Sequence, residues 1–238
     1  DGTFKAVLPD SKDLDIRAAL DAASRLDLDE FAPLRDALLE SFQSEQIERI
    51  LGAIESYRDE NENRFPQGVQ GESMLPADTR LSWFVSLLPH LGFGSLTEFN
   101  SGSSWNGSTN ATGTRQPLPP VRNPIIPHQT SEDGFPVTHY VGVAGLGVDA
   151  PDLPFEDARV GVFGYRRSIQ MDDITDGASQ TLAILPVTED AGPWAAGGRS
   201  TIRGLTEGPY VNGPDGFSSG QSGGMVVGMA DGSARFLS

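Results

Sequence analysis

The chain closes on GGMVVGMADGSARFLS, Gly223 to Ser238, and this stretch constrains the fold more than any other. Apolar residues alternate on both sides of Asp231-Gly232. Asp-Gly between two alternating runs is a β-hairpin signal, because the tight turn needs residues that accept positive φ. A two-residue turn there sets Met229 opposite Ala234, Val227 opposite Phe236 and Met225 opposite Ser238. One face of that hairpin is apolar and requires a second layer to cover it. Asp231 is read as turn chemistry, with a ligand or contact role as the alternative.

The covering layer is legible upstream. Residues 12–26 carry Leu14, Ile16, Ala19, Leu20, Ala23 and Leu26 at helical spacing. Asp29 can cap a second helix with Phe31, Leu34, Leu38 and Phe42 on one face. The stripe resumes at Ile47, Ile50, Leu51, Ile54 and Tyr57, and the five-residue gap after Phe42 predicts a kink or a fresh start capped by Ser44. Pro66 and Gly68 end the helical region. LSWFVSLLPHLG (Leu81–Gly92) fits a short helix or a buried strand, and periodicity does not choose between them.

Residues 94–136, rich in Gly, Ser, Asn and Pro, predict a long irregular excursion held by Phe99, Trp105 and Ile125-Ile126. Strand patterns follow in THYVGVAGLG, RVGVFGY (Val160, Val162 and Gly164 against Gly161, Phe163 and Tyr165), QTLAILPVTE and the tail. The fold class expected is α+β: an N-terminal amphipathic helix packed on an antiparallel β-sheet with long loops. Residues 1–44 are expected to be a helical extension and 45–238 the main domain.

Composition narrows the function. The 238 residues carry a formal net charge of -16, which repels phosphate backbones and argues against nucleic acid. There is no cysteine, so disulfide and thiolate chemistry are excluded. No apolar run is long enough to span a bilayer.

The chemical motifs each have a plain alternative. Two G-x-S-x-G matches, on Ser218 and Ser222, lack the strand before and helix after that a nucleophile elbow needs. Asp59, Asn61 and Asn63 start a calcium-loop spacing, but Arg64 stands where glycine is required and Gln70 where glutamate is. Asp172, Asp173 and Asp176 form the candidate metal cluster, with calcium as its cation and an acidic turn as the alternative. His90, His128 and His139 share no ligand spacing. Asn106-Gly107-Ser108 and Asn110-Ala111-Thr112 match glycosylation sequons, and in a Gly/Ser-rich loop such matches are read as accidental.

Several phrases in order resemble the large planctomycetal paralogous family of prepilin-like domains that carry a C-terminal His-x9-Asp-Gly pattern. SYRDENENRFPQG (Ser56–Gly68), LSWFVSLLPHLG, THYVGVAGLG (Thr138–Gly147), ITDGASQTLAILP (Ile174–Pro186), GPWAAGG (Gly192–Gly198) and the tail carry the likeness, with a weak echo in FNSGSSWNGSTN. It spans about residues 45–238. Three departures stand out. The histidine position holds Gln221, ten residues before Asp231. Asn123-Pro124 stands where many members have Cys-Pro. Residues 1–44 are polar and helical where members begin with a prepilin peptidase site and an apolar helix.

The resemblance implies a pseudopilin-like fold and an extracytoplasmic, membrane-anchored setting. It also implies a non-enzymatic structural or interaction role linked to secretion or surface assembly, with protein partners or self-assembly. Gln221, Asp231 and Gly232 are then family-signature positions. The alternative function is an extracytoplasmic calcium- or carbohydrate-binding module, with a glycan seated on the Trp105 and Trp194 loops.

Overall fold

The computed structural model describes residues 32–71, 74–96, 98–221 and 223–238. The expected helix at 12–26, the Asp29 cap and Ser222 lie outside them. Helix α1 runs without a break from Ala32 to Glu60, through Ser44, so there is no fresh start at Ser44. The reason is Gln43. It occupies the core-facing seat between Leu39 and Ile47 and is fully buried, its Nε2 donating to the Ser219 carbonyl at 2.8 Å. A satisfied amide donor thus continues a stripe that looks interrupted when only apolar letters are counted. The helix ends where Glu62 and Asn63 turn left-handed, φ 53° and 59°, with the Asn63 side chain accepting from Arg58.

Among the described residues five strands form one sheet: β1 (Tyr140–Leu146), β2 (Leu182–Pro186), β3 (Ile202–Leu205), β4 (Met225–Met229) and β5 (Ala234–Leu237), in the order β3-β1-β2-β4-β5. The sheet is mixed and not purely antiparallel, because β3 crosses past β1 and pairs with it in parallel. Residues 187–201 carry the chain from β2 past β1 to the far edge of the sheet.

α1 lies on β4. A Cβ on Gly228 would stand 3.1 Å from Ile47 Cγ2 and 3.2 Å from Leu51 Cδ1, so the glycine sets how closely helix and sheet approach. The core between them holds Ile47, Ile50, Leu51, Ile54, Trp83, Phe84, Tyr140, Phe163 and Val226. Leu81–Gly92 resolves as a short helix, α2 (Phe84–Leu87), buried in this layer. On the opposite face of the sheet, Val141, Val143, Leu185, Met225 and Val227 are covered by Phe217 from the loop before β4. Asp215 holds that loop. Burial works to raise its carboxyl, but hydrogen bonds from Thr206 and Glu207 outweigh burial and keep it below the usual range.

RVGVFGY is not a strand. Only Val160 makes a bridge, to Gly145. The segment crosses the end of β1, with Gly161 N–H donating to Ala144 and Phe163 N–H to Val143. Phe163 lies flat on Gly142, where a Cβ would be 2.6 Å from its ring. The glycines that looked like one face of an alternating strand instead permit backbone to cross backbone.

The 94–136 excursion is irregular as expected. α3 (Ala111–Thr114) is one turn, and Asn110 knits the loop by binding both the N–H and the carbonyl of Asn100. Asn110 is buried, which removes the second sequon from the accessible surface.

Candidate functional site

The tail forms its hairpin, but on a longer turn. Gly232 N–H donates to Met229 O at 3.1 Å, and Met229 N–H donates to Ser233 O at 2.8 Å. The loop is therefore Ala230-Asp231-Gly232, with Gly232 at φ 89°. This is the three-residue hairpin whose last residue is left-handed. The pairs become Gly228–Ala234, Val227–Arg235, Val226–Phe236 and Met225–Leu237. The expected register was one residue off, and a one-residue slip exchanges faces. Phe236 therefore pairs with Val226 instead of Val227, and on the edge strand β5 it is 43% exposed. Asp231 Oδ1 accepts the Ser233 hydroxyl at 2.6 Å and the Ser233 N–H at 3.0 Å. These two bonds hold its carboxyl below the usual range.

Gln221 faces α1. It is buried, and its Nε2 donates to the Asp36 carbonyl at 3.2 Å. With Gln43 reaching Ser219, two amides stitch the segment before β4 to the helix.

Asp173 is engaged in the backbone. Its Oδ2 accepts the Gln170 N–H at 2.7 Å and caps the short turn Met171–Asp173. Asp172 and Asp176 are exposed. Among the described residues no group of three His, Asp or Glu side chains is arranged to hold a metal ion. Trp194 is fully buried and donates from Nε1 to Gln116 O, so its ring presents no open stacking face. Trp105 donates to Asp78 O and meets Phe135 edge-on. Ser218 donates to Asn212 Oδ1 within an irregular loop, away from any strand-to-helix junction. No described helix is long and apolar enough to cross a membrane.

Arg167 and Arg203 were passed over in the sequence, and the burial of His139 was not foreseen from it. Arg167 donates to the carbonyls of Ala144, Ala150, Leu153 and Phe163, and burial draws its pKa down to about 10. Arg203 does the same for Arg199, Glu189 and Asp190, again at about 10 through burial. His139 accepts the Asn123 N–H on Nδ1 at 2.8 Å and directs Nε2 at His128 O, 2.9 Å. One acceptor and one donor nitrogen define a neutral ring, and burial lowers its pKa to about 4. Nothing in spacing or periodicity marks these residues, since their partners are main-chain carbonyls and amides set by the fold.

A concavity with a volume of about 300 Å³ lies between residues 155–162 and 169–181. Val160, Val162, Ile169 and Ile174 give it apolar walls, and Glu156, Asp157, Asp173 and Asp176 stand around it. It brings Asp173 and Asp176 of the candidate cluster together with carboxylates from a different loop; Asp172 does not line it.

A family described as a protein of unknown function (DUF1559), SBP_bac_10, matches residues 44–190. No curated protein and no solved structure matches the chain. The matched span takes in most of α1, the irregular excursion, both cleft walls and strands β1 and β2, and it stops before Gln221 and the tail hairpin. On this match, which covers more than half of its length, the chain belongs to the SBP_bac_10 (DUF1559) family.

Proposed function

We propose that the protein is a non-enzymatic, pseudopilin-like structural and interaction module of the cell envelope, anchored in its full-length form and working through protein partners or self-assembly. Within the family it groups with the prepilin-like planctomycetal paralogues, with Gln221 at the histidine position. The observation that carries the reading is one long helix laid across a single sheet, Ile47 and Leu51 resting on Gly228. The ordered phrases from Ser56 to the tail support it from the sequence side. In this reading Gln221 has a positioning role: it fastens the segment before the terminal hairpin to α1. The test is protease accessibility in spheroplasts of the native cell, read with an antibody to the described domain. The expected result is an envelope-associated protein cut by added protease. Full protection in a cytosolic fraction would overturn the reading.

A further inference from the structure

The cleft between residues 155–162 and 169–181 has a shape and a charge that the structural role above does not use. Its walls are pinned before any ligand arrives. On one side, Arg159 O accepts the Leu146 N–H and Gly161 N–H donates to Ala144 O. On the other, Phe65 N–H donates to Ile169 O, Met171 N–H to Asn63 O, and Asp173 caps Gln170. Both loops are thus tied to the end of β1 or to the chain just beyond α1. A site held in this way loses little freedom on binding.

The lining joins apolar walls to an acidic rim. Two of the four rim carboxylates are already used. Asp157 pairs with Arg159, which also bonds Asp149, and Asp173 holds its cap. Glu156 and Asp176 are exposed and have no hydrogen bond or ion pair within the described residues. Phe155, also on the rim, leaves 46% of its surface open. Apolar walls lined as well by two unpaired carboxylates suit a ligand with an apolar stem and a cationic head, because each part meets its own kind of surface. An exposed ring beside it adds a face that attracts cations. The net charge of -16 raises the local concentration of such ligands. A cavity of about 300 Å³ is at the small end of organic-ligand sites.

We propose that this cleft binds an alkylguanidinium or alkylammonium group, the chemistry of an arginine or lysine side chain and of free diamines, with Glu156 and Asp176 meeting the charge and Phe155 flanking the stem. The site is a property of the described domain and stands whether or not the protein is anchored in an envelope.

Calorimetric titration of the whole chain tests it with three probes: agmatine, the capped tripeptide Gly-Arg-Gly, and the same tripeptide with neutral citrulline in place of arginine. The expected result is binding of the first two and loss of binding with citrulline. Equal affinities for agmatine and the arginine peptide identify a free amine as the ligand. An arginine peptide bound at least about tenfold more tightly identifies a partner's basic segment. E156Q with D176N should weaken binding about tenfold, as two exposed ion pairs do, and F155A should weaken it severalfold. The circular dichroism spectrum and melting temperature of these surface variants should match the parent. Binding by neither cation at millimolar concentration would overturn the proposal. So would unchanged affinity in the folded double variant, or calcium binding that displaces agmatine.

Discussion

His139 links stability to pH through its surroundings. The free imidazole takes a proton near pH 6.5, whereas the buried ring, already accepting on Nδ1, resists until about 4. A depressed folded pKa means that the unfolded chain gains the proton first. The contribution is therefore complete above pH 6.5 and is lost as pH falls from 6.5 to 4, by up to about 3 kcal/mol. Urea unfolding across this window should show it, and His139→Gln should flatten the slope relative to the parent. Arg167 offers a second test. Arg167→Met removes the guanidinium donor from the carbonyls of Ala144, Ala150, Leu153 and Phe163 and should cost about 3 kcal/mol. Arg167→Lys should not restore the loss, since a compact ammonium cannot match a planar fork. Neither residue was legible in the sequence. A polar letter among apolar ones records no burial, and the groups it satisfies are main-chain atoms found everywhere.

At the scale of elements, the contact between α1 and β4 rests on a missing side chain. Gly228→Ala would place a methyl 3.0 to 3.2 Å from Ile184, Ile47 and Leu51. We expect a loss of about 1–2 kcal/mol as the helix shifts outward. Leu51→Ala in the same chain should cost less than it does alone, because it vacates the space the new methyl needs. Chemical denaturation of the four proteins closes that cycle. The elements themselves were readable in unequal degree. β1, β2 and the tail hairpin fall within segments read as strands, β2 on its continuous apolar run Leu182–Leu185 and not on alternation. β3 was missed because Ile202-Arg203-Gly204-Leu205 presents no alternating pattern, its arginine being buried against carbonyls. The strand expected at Val160–Tyr165 had the pattern without the pairing, since Gly161 and Gly164 let the segment fold across β1 and around Arg167.

For the whole molecule, the charge is the dominant collective property. Thirty-three acidic residues against seventeen basic ones produce self-repulsion that salt screens. Raising sodium chloride from low concentration to 0.5 M should lift the melting temperature by about 2–4 °C, the effect of about 1 kcal/mol in a chain of this size. Scanning calorimetry at two salt concentrations measures it. The same field favours cationic ligands at the cleft, so binding there should weaken as salt rises.

The sequence by itself determined the helical stripe, the α+β class, the irregular excursion and the place of the terminal turn. Each depends on local period or on the φ a residue tolerates, and these are properties of neighbouring residues. Tertiary structure alone decided the hairpin register, the parallel return of β3, the continuity of α1 through Gln43 and the cleft between two distant loops. Ala230-Asp231-Gly232 shows why. A turn of two residues and a turn of three are both compatible with the same letters. The choice rests on which faces of β4 find cover, Val226 beneath α1 and Val227 beneath Phe217. That is a sum over contacts remote in the chain, which no single stretch of it contains.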